Sequence, residues 1–358
     1  MPQQTLKESI RKFTTDSLRV FDSPDTFEWG LLPEAKADQF IDITISQSAL
    51  LKAATTYRVK DRAGEFYSFD LPSPVIRAAL SEGKEWPTDA TTPANRDNPY
   101  NTGSFSIDRP FRYSCSKIMT ALNMTWETIN WALTGPEFEN FLVQKWQERM
   151  ADDLELLAIQ GDTSKTGDPL LSIDDGWIKQ IDTSTGAGVV DHSAHIIDWE
   201  GKEIDHTLWQ QMRLALLRDP LGRKLANNLY WFCNATVRAE YEHYLSDRGD
   251  ALGAAALMGG ATIRPDGIPF FNDPNGVPYL PEYIESGVGT LTNIILGDPK
   301  NLWFIIHREF RLERERVATA DLWRWIGYAY IDFLVPWPRA FVMAKNVKII
   351  PEATSSGS

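Results

Sequence analysis

Two cysteines and five histidines in 358 residues leave little material for a metal centre or a nucleophilic site. Cys115 ("FRYSCSK") and Cys233 ("LYWFCN") stand in apolar, strand-like surroundings without CxxC or Cys/His metal spacing. Buried free thiols in a reducing compartment are the expectation. His192 and His195 form an H-x2-H pair in "DHSAHIID", but no third ligand is evident, so a solvated loop is expected. His206, His243 and His307 are isolated and read as surface or half-buried residues. No apolar run approaches eighteen residues, and the start, "MPQQTLKESIRKF", lacks an apolar signal core. A soluble, intracellular protein with no membrane partner is expected.

Positive charge is also in deficit. Lys and Arg total 36 against 49 Asp and Glu, a net charge of −13. Such a surface repels a phosphate backbone and argues against sequence-specific nucleic-acid recognition. The basic stretch "IHREFRLERER" still permits local, non-specific contact. Catalytic signatures are missing as well: no G-x-S-x-G elbow, no G-x-x-x-x-G-K-[ST] loop, and no G-x-G-x-x-G after a strand. The glycine pair in "LMGGATIRPDG" reads as a turn. Catalytic, cofactor-binding and metal-binding residues are therefore all expected to be absent.

Bulk is what the chain does have. Thirteen tryptophans imply large buried contacts, in a core or between subunits. "PEFENFLVQKWQERMADDLELLAIQ" predicts a helix over 136–160, roughly 37 Å long. It opens on Pro136 with Glu137 and Glu139 in its first turn, and Gly161 ends it. Phe138, Phe141, Leu142, Trp146, Met150, Leu154 and Leu157 form its apolar stripe; Glu137, Gln144, Glu148 and Glu155 lie on another side.

Before this helix, "LKESIRKFTTDSLRVF" carries a weak helical pattern and "TTYRV" is strand-like. "YRVKDRAGEFYSFDLP" and "SFSIDRPFRYSCSKI" alternate apolar and polar residues around a middle rich in Pro, Asn, Asp, Thr and Gly. That describes a long β-hairpin excursion with little core of its own. After the helix, 162–201 reads as loop. "HTLWQQMRLALLRDP" then reads as helix, "LYWFC" as strand, and Asn234 as the N-cap of "ATVRAEYEHYL". "IPFFND", "TNIILGD", "LWFIIHREF" and the aromatic "LWRWIGYAYIDFLVPWPRAFVMAKNVKII" read as strands.

Asp162, Asp168, Asp174 and Asp175 cluster in "GDTSKTGDPLLSIDDGW". A calcium loop needs acids at alternate positions, a central glycine and a closing glutamate, which this stretch lacks. Turn and capping roles are expected instead.

The order of these segments resembles that of the major capsid proteins of tailed bacteriophages, the Hong Kong 97-type fold. In that family the long helix runs into a Gly-Asp…Pro…Gly-Trp/Leu loop like "GDTSKTGDPLLSIDDGW". "LYWFCNATVRAEYEHYLSDRGDAL" resembles its strand, Asn-capped helix and glycine turn. "TIRPDGIPFFNDPNGVP", "IILGDPKNLWFIIHREFRLERE" and "FLVPWPRAFVMAKN" resemble three of its strand regions.

The resemblance implies an α+β chain: an N-terminal arm (1–59), an extended hairpin loop (60–115), a peripheral domain with its spine helix (116–204), an axial α/β domain (205–318), and a returning peripheral strand with tail (319–358). It implies pentamers and hexamers closing an icosahedral head around double-stranded DNA, built in the bacterial cytoplasm, with a separate scaffolding protein, a portal and a possible decoration protein. Gly161-Asp162 and Gly176-Trp177 would shape the loop after the spine helix. Some members join a hairpin lysine to an asparagine on the final strand. Lys60 and Lys84 are available, but Asp321–Phe341 holds neither Asn nor Glu, so no isopeptide bond is expected. Two other readings remain: an encapsulin-like shell around cargo enzyme, or an acidic hydrolase using a buried Asp/Glu pair in a cleft.

Overall fold

A computed structural model describes residues 30–31, 42–66, 69–70, 106–107, 111–125, 136–182, 195–219, 228–246, 263–286, 288–307, 311–317 and 319–351. The helix expected near 6–21 lies outside them. The chain divides into two units, Asp61–Ser114 and the remainder.

The described residues of the smaller unit form two short antiparallel ladders. Strand β3 (Ala63–Phe66) pairs with β6 (Phe111–Ser114), and β4 (Phe69–Asp70) pairs with β5 (Ser106–Ile107). Phe66 and Tyr113 stack at 5.1 Å across the first ladder, and Arg112 pairs with Glu65 at 2.8 Å. No described side chain of this unit is fully buried.

The larger unit holds two sheets. In the first, the order is β1 (Gly30–Leu31), β13 (Arg311–Val317), β14 (Leu322–Leu334), β12 (Trp303–His307) and β2 (Thr55–Val59), with β7 (Ser116–Thr125) also on β14. β12 and β2 run parallel; the other pairs are antiparallel. Trp325, Ala329, Ile331 and Phe333 alternate along β14 into one core, as a period of two requires.

Helix α2 (Pro136–Gln160), which follows α1 (Ala49–Ala53), lays Trp146, Met150, Leu154 and Leu157 into that core. These are the described members of its expected stripe. The opposite side is not fully wet. Glu155 is buried and accepts a 2.7 Å hydrogen bond from Ser48 Oγ, the residue capping α1. The segment 42–54 covers that side, which the helix's own pattern does not reveal.

The second sheet orders β10 (Glu282–Glu285), β11 (Gly289–Gly297), β15 (Val342–Pro351) and β8 (Ile196–Asp198), with β9 (Tyr230–Phe232) on β11. It is covered on both faces. Phe232, Ile295 and Met343 enter the α2 core, while Trp231, Cys233, Ile294, Leu296, Val342 and Ala344 enter a second core. Helix α3 (Trp177–Asp182) belongs to the first. Helices α4 (His206–Arg218) and α5 (Ala235–Ser246) belong to the second, where Trp209 meets Trp231, Tyr241 and Phe270 edge-on at 4.7, 5.3 and 5.8 Å.

Several expectations need correction. "IPFFND" forms no strand: Phe270 makes one isolated bridge to Trp231, and Asn272–Gly276 is a turn rich in Asn, Asp, Pro and Gly. The stretch 162–201 is loop-rich as expected, with only the short α3 and β8 among its described residues. β12 and β13, placed by sequence in the axial segment 205–318, pair with β14 in the first sheet. β15, placed with the returning peripheral strand, joins the second sheet beside β8 and β11. Sequence order alone does not reveal which sheet a buried strand joins, because both sheets demand the same apolar residues.

Gly297 marks the tightest packing of β11. A Cβ there would stand 2.0 Å from Phe341 Cδ1, on a ring that is itself fully buried. Gly297→Ala should therefore lower stability by about 1–3 kcal/mol, as overpacking does. Chemical denaturation of the single variant and of Gly297→Ala/Phe341→Leu checks this: the second substitution should recover part of the loss.

Candidate functional site

The four acids after α2 are the natural place to look for chemistry. Gly161 N donates to Leu157 O at 2.8 Å and Gly176 N to Gly161 O at 2.9 Å, so the loop starts and ends on the same turn of helix. A Cβ on Gly161 would lie 2.5 Å from the carbonyl oxygens of both Leu157 and Asp174. One on Gly176 would lie 2.7 Å from Gly161 N. Only glycine admits backbone this close.

Inside this closed loop the acids organise turns. Asp168 Oδ1 accepts from Leu170 N (2.8 Å) and Leu171 N (3.0 Å). Asp162 Oδ1 accepts from Ser164 N and Oγ at 2.9 and 2.6 Å. Asp175 Oδ1 accepts from Thr163 N and Oγ1, both at 2.8 Å. The cation on which Asp162 and Asp175 converge is a protein side chain: Lys179 Nζ sits 2.6 Å from one and 2.7 Å from the other. Hydrogen bonds from Lys179 and Ser164 hold Asp162 well below the usual carboxylate range. Burial alone would raise Asp175, but Lys179 and Thr163 outweigh it and hold it low as well. The turn reading of these residues is the observed one.

Asp174 behaves oppositely. Its Oδ1 accepts from Asp175 N at 2.9 Å, while Oδ2 is buried without a hydrogen-bond partner. Burial first, and the Asp332 charge second, raise Asp174 to about 8. Cys115, at the start of β7, shares this environment, and burial followed by the charges of Asp332 and Asp174 raises its thiol. Sequence reasoning missed Asp332. The signal was an acid inside the apolar run "YAYIDFLVPW".

Other isolated residues find structural partners. His195 is buried, not solvated: Nδ1 lies 3.2 Å from Phe341 O, and Nε2 lies 3.4 Å from Asp219, which also takes Arg339 Nε at 2.6 Å. Nδ1 must donate to that carbonyl. His192, the other member of the H-x2-H pair, lies outside the described residues. His307 is buried too, with Nε2 2.7 Å from Lys60 O. His206 and His243 are exposed. Cys233 is buried, and burial raises its thiol. The Asn234 side chain, expected as a helix cap, instead donates to Glu282, while its carbonyl accepts from Arg238 N at 3.4 Å.

Among the described residues, no group of three or more His, Cys, Asp or Glu is arranged to hold a metal. The hydrolase reading calls for a buried acid pair flanking a substrate cleft. Asp332 is buried, Asp174 buries one carboxyl oxygen, and their charges act on each other. Neither lines the apolar cavity of about 30 Å³ between α3 and the second sheet, which is lined by Leu50, Ile159, Trp177, Phe232, Ile295 and other apolar side chains.

A helix closed by a Gly161–Gly176 clasp, packed on one sheet and sharing a second sheet with an α/β layer, is the Hong Kong 97-type fold of shell-forming proteins. No family model matches the chain. Among known proteins it is 24% identical over 322 residues to YqbE of Bacillus subtilis strain 168, named as a prophage capsid protein, covering 89% of this chain and 93% of that one. Among solved structures it is similar to the satellite phage P4 procapsid chain, with a TM-score of 0.58, 13% identity and 98% and 99% of the two chains covered. The capsid of the native GTA particle gives 0.55 at 13% identity over 84% and 90%. An encapsulin of Synechococcus elongatus gives 0.50 at 11% identity over 84% and 87%.

Removing the lysine tests the electrostatics of the loop. Lys179→Met should cost about 1 kcal/mol, since the three side chains form a partly exposed network. Both carboxylates are held low in the fold, so their contribution is complete above the ordinary carboxylate range and is lost as pH falls through their lowered values. Denaturation midpoints of the two proteins should differ steadily from pH 5 to 8 and converge below about pH 4.

Proposed function

We propose that this chain is a major capsid protein, the structural subunit of a tailed-phage head that encloses double-stranded DNA. The observation that carries this reading is a fold shared along 98% of the chain with a procapsid subunit, beside a curated relative named for a prophage capsid. Pentamers and hexamers are the assembly units, formed in the cytoplasm of the bacterial host with a separate scaffolding protein, a portal and decoration proteins as partners. Contact with DNA is non-specific and runs through local basic residues such as Arg311 and Arg316, both exposed on β13.

The unit Asp61–Ser114 supports assembly. Two short ladders without a fully buried described side chain are marginal in water, and a neighbouring subunit supplies the missing cover. This unit is the extended hairpin, the arm precedes residue 42, the first sheet, including β2, with α2 is the peripheral part, and the second sheet with α4 and α5 is the axial part.

Covalent cross-linking is not part of this proposal, although its sequence argument needs adjustment. The final strand is β15, beyond the window 321–341, and it contains Asn346. The Asn346 amide is committed: Nδ2 donates to Asp198 at 2.8 Å and Oδ1 accepts from the Tyr283 hydroxyl. Lys84 lies outside the described residues.

An encapsulin-type compartment is the second reading, favoured by the fold shared with the Synechococcus elongatus shell. Electron microscopy with light scattering on the purified protein, alone and with its scaffold, should give closed shells or rings of five or six subunits. A stable small dimer would overturn the reading. Shells that carry DNA in infected cells fit the capsid, and shells that carry a cargo enzyme without DNA fit the compartment. Boiling in SDS should return a single 40.5 kDa band.

A further inference from the structure

Of the five exposed large apolar side chains among the described residues, four lie on two elements of the second sheet and its helices. Leu214 and Leu217, 52% and 38% exposed, are on α4; Tyr283 and Ile284, 40% and 84% exposed, are on β10. Like charges bracket each pair. Arg213 and Arg218 flank the two leucines on a helix that contains no acid, and Glu282 and Glu285 flank Tyr283 and Ile284 on a strand that contains no base. We propose that the Leu214–Leu217 face of α4 docks head to tail on β10 of a second copy of this chain, and that this contact closes the ring of subunits. The inference rests on reading the chain as a ring-forming shell subunit.

Neither apolar pair serves its own subunit. α4 already buries Leu208, Trp209, Met212 and Leu216 in the second core, while Leu214 and Leu217, three apart, lie together on the side turned away. β10 is an edge strand, bonded by β11 on one side and by no strand on the other among the described residues. All four of its side chains are exposed, and its two glutamates discourage pairing with a further strand.

Charge selects the partner of each patch. Two copies of β10 paired antiparallel about their centre would set Glu282 opposite Glu285 twice, and like charges so placed are destabilising. Two copies of the α4 face would oppose arginine to arginine. α4 on β10 instead brings arginines to glutamates. Arg213 is held by Asp266 at 2.9 Å, and Glu282 accepts from Asn234 Nδ2. Arg218 and Glu285 are exposed and form no ion pair among the described residues, so they are the groups left for a new one. Position agrees with charge. β10 and β8 are the two edges of the sheet, and α4 packs over β15 with its C-cap Asp219 3.4 Å from His195 at the entry to β8. Two different patches toward opposite edges of one layer make a heterologous contact, the kind that generates a ring when its rotation closes.

Electron microscopy and light scattering of the full-length protein, alone and with its scaffold, test this on variants at exposed positions. Ile284→Asp and Leu214→Asp should each lower the yield of rings or shells by about tenfold or more, as loss of a central anchor does. Their circular dichroism and melting should match the wild type. An equal mixture of the two should stop at dimers, because only one α4 face and one β10 strand in each pair remain intact. Arg218→Glu and Glu285→Arg should each weaken assembly and together restore it, and they serve where an aspartate variant does not fold. Leu214→Asp that assembles like the wild type overturns the proposal, as does a double charge variant no better than the singles. A wild type that forms no ring or shell in either sample overturns the shell reading itself, and this contact with it.

Discussion

Everything in the larger unit depends on one sheet being apolar on both faces. Along β9, β11 and β15 the side chains alternate, and every second one serves a different core. Ile295 lies opposite both Phe232 and Met343, and all three face the spine helix. Leu296 lies opposite Trp231 and Val342, and these face α4 and α5. A slip of one residue in either pairing would exchange the two sets and place Trp231 where Phe232 fits. Gly297, against the Phe341 ring, helps hold the register, because no other residue leaves room for that aromatic at the sheet's end.

The second constraint is the clasp that returns the chain to the end of the spine helix. Two glycines allow backbone contact at a distance no Cβ permits, and the loop between them is then short enough that its polar groups satisfy one another. That explains an acid density that looks catalytic in one dimension. Each carboxylate in a tight turn finds backbone N–H groups two or three residues on, which is why Asp and Ser fill such turns. Where two of them converge, a lysine one helical turn beyond Asp175 takes the place a metal would occupy. Asp174 is the exception, because its second carboxyl oxygen is buried without a hydrogen-bond partner.

How much was legible in the sequence followed from how local each signal was. The spine helix carries its bounds in its own residues, Pro136 at one end and Gly161 at the other, and it runs Pro136–Gln160. The strands of "TNIILGD" and "LWFIIHREF" were equally plain, as runs of apolar residues between turns. What failed was non-local. Glu155 reads as solvent-facing on a helical wheel, yet Ser48, more than a hundred residues earlier, covers it. His195 sits among polar neighbours in sequence, but its partners are Asp219 and Phe341. "IPFFND" has strand composition, but it meets β9 only at the Phe270–Trp231 bridge before the chain turns at Asn272–Gly276. Asp332 was hidden by the strand around it, since nothing in "AYIDFLV" tells which loop will bring a second acid.

The same distinction between local and non-local bears on why such a chain should live in an assembly. The larger unit contains two well-filled cores and answers its own packing demands. In the unit Asp61–Ser114 the ladders have cross-strand pairs such as Phe66 with Tyr113, and none of its described side chains is fully buried. At the edge of the second sheet, all four residues of β10 are exposed, and Ile284 stands 84% open. On β7, in the other sheet, Met119 is 64% open. A closed dimer needs one self-complementary patch, whereas rings and shells need several that differ from one another. Exposed apolar groups on two different sheets, together with a unit whose described side chains are all at least partly exposed, fit the second requirement. A net charge of −13 limits indiscriminate association through those exposed apolar groups.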